Sequence, residues 1–91
     1  MVDQKQVLVC VQVAKEYGAT KVVLFGSAAT DPGNARDIDL LCSGVPDRDF
    51  VPMLAEMENR TMVPVDVVSE PPNTAFTEMA NKYGKLMYER R

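Results

Sequence analysis

Three short apolar runs restrict the fold of this chain more than anything else in it: Val22-Val23-Leu24-Phe25, Ile38-Asp39-Leu40-Leu41 and Val63-Pro64-Val65-Asp66-Val67-Val68. Each is too short for a helical stripe, and together they are rich in the branched side chains that suit a pleated, half-buried surface. They therefore read as strands. In the second and third, acids break the apolar pattern. Side chains alternate across a strand with period 2, so Asp37 and Asp39 share one face while Ile38 and Leu40 take the other. By the same rule Asp66 points away from the face that holds Val65 and Val67.

The remaining segments supply helices. From Asp3 to Tyr17 the valines alternate as in a strand, but Val7, Cys10, Val11, Ala14 and Tyr17 form one helical stripe. Asp3 fits the N-cap, Lys15 the last turn and Gly18 the left-handed position beyond it, so a helix is expected. Lys21 to Phe25 is then a strand ending at Gly26, and Asp31-Pro32-Gly33-Asn34 is a turn. Asp37 to Cys42 is the second strand. A second helix is expected from an Asp47 N-cap to near Asn59, with Phe50, Met53, Leu54 and Met57 on its apolar side. Val63 to Val68 follows as a strand. Thr74 can cap a short helix carrying Phe76, Met79 and Ala80, which ends at Gly84. Lys85 to Tyr88 closes the chain as an edge strand. The order α-β-β-α-β-α-β predicts a single α+β domain over residues 1–91, a small mixed sheet with flanking helices.

Composition narrows the chemistry. At 91 residues with 46% apolar side chains, one small core is expected and little is left for a separate substrate domain. The net charge of −3 argues against a nucleic-acid partner, which needs a basic face to displace counterions. Histidine is absent, which excludes a Ser-His-Asp or Cys-His relay, so acid-base or metal work falls to carboxylates. Cys10 and Cys42 sit among apolar residues, form no CxxC pair, and read as buried free thiols of a cytoplasmic protein. No apolar run approaches the roughly 20 residues needed to span a bilayer.

Two features carry chemistry. Gly26-Ser27 ends an apolar strand, where backbone amides and a hydroxyl can hold a phosphate. Asp37 and Asp39, on one strand face, can hold a hard cation such as Mg²⁺, which takes one or two carboxylates plus substrate phosphates. Asp66, on a neighbouring strand, would complete a three-carboxylate cluster suited to one or two divalent ions. Asp47-Arg48-Asp49 has the same spacing but precedes a helical stripe, where positions i and i+2 do not share a face. Those acids read as an N-cap and first-turn charges.

Taken together, Leu24-Phe25-Gly26-Ser27, Asp37-Ile38-Asp39-Leu40 and Val65-Asp66-Val67-Val68 resemble the minimal nucleotidyltransferase (MNT) family of the polymerase-β-like superfamily. Tyr83-Gly84-Lys85-Leu86-Met87-Tyr88-Glu89 is similar to that family's closing helix-to-strand segment. The resemblance runs from about Val22 to Glu89. It implies the polymerase-β-like fold and transfer of a nucleoside monophosphate from ATP or another NTP to a hydroxyl. It implies Asp37, Asp39 and Asp66 as metal ligands, with Asp66 also activating the acceptor, and Gly26 and Ser27 as phosphate-holding residues. It further implies a helical HEPN-type partner, on which some such antitoxins place AMP; homo-oligomerisation stays open. One departure stands out. The family often continues after Gly-Ser with Arg-Ala-Arg-Gly, whereas this chain reads Ala28-Ala29-Thr30-Asp31 and places Arg36 before the acid pair. Three readings therefore remain: an active transferase, an antitoxin that neutralises a HEPN toxin by contact alone, and a detached subunit of a small-molecule nucleotidyltransferase.

Overall fold

A computed structural model describes residues 2–69, 78 and 82–90. The first helix, α1 (Gln4–Glu16), forms despite its valines because its start and its buried stripe agree. The Asp3 carboxylate accepts the Lys5 amide at 2.6 Å, while the Asp3 amide donates to the Gln6 side chain at 2.8 Å. This reciprocal cap satisfies N–H groups that no helical carbonyl can reach. Val7, Cys10, Val11, Val13 and Ala14 are buried beneath it. Gly18 (φ 96°) turns the chain into β1 (Lys21–Phe25).

A four-residue helix, α2 (Ser27–Thr30), follows Gly26, where the sequence suggested only a loop. The Asp31–Asn34 turn is present, with the Asn34 side-chain amide donating to the Asp31 carboxylate at 2.8 Å. Next come β2 (Ile38–Ser43), a 3-10 turn over Asp47–Asp49, and α3 (Phe50–Thr61). Here the expected Asp47 N-cap is corrected. The 3-10 turn runs straight into α3, so Asp49 occupies the cap position with helical dihedrals and its side chain makes no capping bond. α3 also runs past Asn59 to Thr61 and stops where Met62 takes a left-handed conformation (φ 59°).

The third strand, β3 (Val65–Ser69), starts two residues later than expected. Pro64 has no N–H for a ladder, although its carbonyl accepts the Ile38 amide at 3.0 Å. The last strand is β4 (Lys85–Glu89). The expected helix positions Phe76, Met79 and Ala80 lie outside the described residues.

The strands form one sheet in the order β3-β2-β1-β4. β1 runs antiparallel to both β2 and β4, and β2 runs parallel to β3. This is the mixed sheet expected of an α+β domain. On one face Val22, Leu24, Ile38, Leu40, Cys42 and Val65 join the α1 residues with Met53 and Met57 of α3 in the main core. On the other face Val23 and Leu41 form a second, smaller cluster with Phe25 and Val68. Hydrophobic burial on both faces makes β1 and β2 the central pair. Away from the core, α3 is tied to the end of α1 by the Tyr17 hydroxyl donating to Glu56 (3.3 Å) and by Arg60 pairing with Glu16 (3.6 Å), while Arg60 also pairs with Glu56 within α3 (2.7 Å). No helix among the described residues is long and apolar enough to cross a membrane.

Both cysteines are free and buried, as expected. Burial lifts the Cys10 thiol to about 11. Burial and then the neighbouring Cys10 lift Cys42 to about 12. At pH 8 the folded protein should therefore react with iodoacetamide at least about 100-fold more slowly than after unfolding, because the thiolate is the nucleophile. Prompt stoichiometric labelling of the folded chain would contradict this placement.

Candidate active site

The acidic site is built on the register of β2. Ile38 and Leu40 turn fully into the core, which forces Asp39 onto the opposite face. In the parallel ladder Asp39 lies opposite Asp66 of β3, and in the antiparallel ladder it lies opposite Phe25, the last residue of β1. Asp37 stands one residue before β2 and is exposed. The Asp39 carboxyl is pushed above the usual carboxylate range, first by burial, then by the charge of Asp37 and then by that of Asp66. All three acids thus act within one electrostatic neighbourhood. Among the described residues no three acidic or thiol side chains are gathered closely enough to clasp an ion.

The Gly26-Ser27 turn meets Asp39 directly. Gly26 has φ 70° and ψ −157°, a combination essentially confined to glycine. A Cβ built there would lie 2.6 Å from Asp39 Oδ2. Glycine is thus required twice, by its backbone and by the carboxylate packed against it. Its carbonyl accepts the Ala29 amide at 3.1 Å and the Thr30 hydroxyl at 3.3 Å, which fixes the first turn of α2. Ser27 is exposed at the head of that turn, where the leading N–H groups of a helix have no helical acceptor. The side of α2 that faces the core is held by Ala28, which is buried.

The structure therefore brings Gly26, Asp39 and Asp66 side by side, sets Asp37 at the entrance to β2, and places Ser27 next to Gly26. The direct packing of Gly26 on Asp39 was not visible in the sequence; its only trace was a glycine ending an apolar run. Asp31, which follows α2, is engaged by Asn34 across its own turn. Arg36 is exposed beside Asp37. The donor set is chemically apt for a hard divalent cation, since it offers carboxylate oxygens.

No protein-family model matches the sequence, and no curated protein matches it. Solved structures do. A chain of a toxin–antitoxin complex crystallised with AMP-PNP matches at a TM-score of 0.74 and 12% identity, covering 99% of this chain and 76% of its own length. A chain of the MntA–HepT toxin–antitoxin structure matches at 0.70 and 13%, covering 96% and 73%. A chain of the tri-AMPylated Shewanella oneidensis HEPN toxin in complex with its MNT antitoxin matches at 0.67 and 14%, covering 92% and 72%. At such identities the likeness is one of fold, and it spans nearly all of this chain. The protein has the MNT-type nucleotidyltransferase fold.

Proposed function

We propose that this protein is a Mg²⁺-dependent nucleotidyltransferase that moves a nucleoside monophosphate, AMP in the first instance, from an NTP to a hydroxyl of a helical HEPN-type partner, and so acts as an antitoxin. The observation that carries this reading is the position of Asp39, packed against Gly26 on one side and in register with Asp66 on the other. A phosphate turn packed on one acid, with a second acid in register beside it, suits a triphosphate and the charge that must accompany it. The AMP-PNP and AMPylated states of the two fold neighbours support the same chemistry.

On this reading Gly26 lets the backbone approach the phosphates, and Ser27 donates to them through its amide and hydroxyl. Asp37, Asp39 and Asp66 would hold the cation, which when bound supplies the positive charge that offsets the triphosphate. Asp66 takes the proton from the acceptor hydroxyl as its oxygen attacks the α-phosphorus, and pyrophosphate leaves. The raised proton affinity of Asp39 is the expected signature of acids placed together for a ligand rather than for stability.

One observation favours a second reading. α2 carries Ala28, Ala29 and Thr30 and no basic side chain, so the strongest phosphate ligand among side chains is missing from it. An antitoxin that neutralises its toxin by contact alone would need none. Labelled ATP, Mg²⁺ and the HEPN-type partner decide between the two. Transfer should be detected with the wild type and fall at least about 100-fold in Asp39→Ala and Asp66→Ala, since a catalytic cation supplies several kcal/mol. Intact neutralisation by Asp37→Asn, Asp39→Asn, with no transfer by the wild type, would establish contact instead.

Two further outcomes follow from the site. Without divalent ions Asp39→Asn should raise the melting temperature at neutral pH, as a thermal melt would show. The sign follows from the raised carboxyl: ionised Asp39 is disfavoured in the fold, so the advantage fades as pH falls and Asp39 takes up its proton. Gly26→Ala should lower stability by about 1–3 kcal/mol from backbone strain alone, and calorimetry should show weakened Mg²⁺-ATP binding as the Asp39 carboxylate is displaced.

A further inference from the structure

A single bond at the outer edge of the sheet has no place in the chemistry above. Toward β2, β3 bonds through alternate residues: Pro64 accepts the Ile38 amide at 3.0 Å, and Asp66 lies two positions further along the same side. By that alternation the Val65 N–H points outward, away from the sheet. Glu58 Oε2 accepts it at 3.0 Å.

Glu58 belongs to the last turn of α3, and that turn is firmly held. Its carbonyl accepts the Met62 amide at 2.8 Å. The buried Thr61 hydroxyl donates to the Met57 carbonyl at 2.7 Å and accepts the Val63 amide at 3.3 Å. Gln6 of α1 donates to the Thr61 carbonyl at 3.2 Å. Only Met62, Val63 and Pro64 separate α3 from β3. A side chain on an anchored helix thus grips the residue immediately before Asp66. Helix stability does not account for it, because an acid in the last turn opposes the helix dipole.

We propose that Glu58 is a positioning residue for the acidic site: by holding the Val65 amide it keeps β3 in the register that sets Asp66 beside Asp39. The grip acts through a hydrogen bond to an oxygen, so glutamine can supply it and alanine cannot. The consequence for catalysis rests on the nucleotidyltransferase reading; the hold on β3 does not.

Two measurements on the full chain test this, comparing wild type, Glu58→Ala and Glu58→Gln. In metal-free protein, amide exchange followed by NMR should speed up at Asp66 and Val68 in Glu58→Ala by about fivefold, the loss of one net hydrogen bond, with β1 unchanged and Glu58→Gln at wild-type rates. In Mn²⁺ titrations followed by electron paramagnetic resonance, Glu58→Ala should weaken binding about tenfold, as loss of outer partners does, and Glu58→Gln should restore it. Unchanged exchange in Glu58→Ala, a uniform rise across β1 and β3, or a Glu58→Gln variant as impaired as the alanine would each overturn the proposal. If the wild type itself fails to bind Mn²⁺, the nucleotidyltransferase reading falls, while the exchange data still decide what holds β3.

Discussion

Everything distinctive about this molecule depends on the pairing of β2 with two neighbours that run in opposite directions. The antiparallel ladder to β1 brings the end of one strand to the start of the next, which is why Gly26 reaches Asp39. The parallel ladder to β3 aligns the same residue with Asp66. One strand ending at a point from which two others set out side by side cannot be arranged by local sequence. Core burial of Ile38 and Leu40 fixes which face the acids take, because a slip of one residue would drive Asp39 into the apolar side.

The two faces of the sheet divide the work unequally. One is closed by α1 and α3 and holds nearly all of the buried side chains. The other bears the acids together with Val23 and Leu41, which are themselves buried. The acidic face is therefore not a wet, featureless surface. An apolar floor beside a group of carboxylates lowers the local polarity, and this desolvation is the largest cause of the Asp39 shift.

Much of this was legible in the sequence, and the failures have physical causes. Strand faces could be read because period-2 alternation is local: Ile38 and Leu40 inward with Asp39 outward needs no knowledge of neighbours. α1 could be read because Asp3, the Val7-Cys10-Val11-Ala14 stripe and Gly18 all agreed. Asp47 misled because a cap and a 3-10 turn have the same composition; they differ only in backbone angles that later residues decide. α2 escaped notice since four residues without an apolar period carry no helical signal, and its first turn is fixed by bonds to the Gly26 carbonyl. The contact of Gly26 with Asp39 joins residues from two strands, so it belonged to the topology rather than to either motif.

The register shift between β1 and β4 has a consequence for how this protein can meet others. Met87 is the extra residue between the Val22–Tyr88 and Val23–Leu86 pairs, and both Met87 and Tyr88 pack on the main core. Lys15 of α1 sits 4.7 Å above the Tyr88 ring. A bulge of this kind bends an outer strand and spoils its row of free amides as a template for another strand. On the far side of the sheet Glu58 already occupies the outward Val65 amide. Strand-by-strand extension, the commonest route by which a small open sheet recruits a second chain or polymerises, is thus discouraged at both margins. A partner is steered toward side chains, on the helices or across the acids.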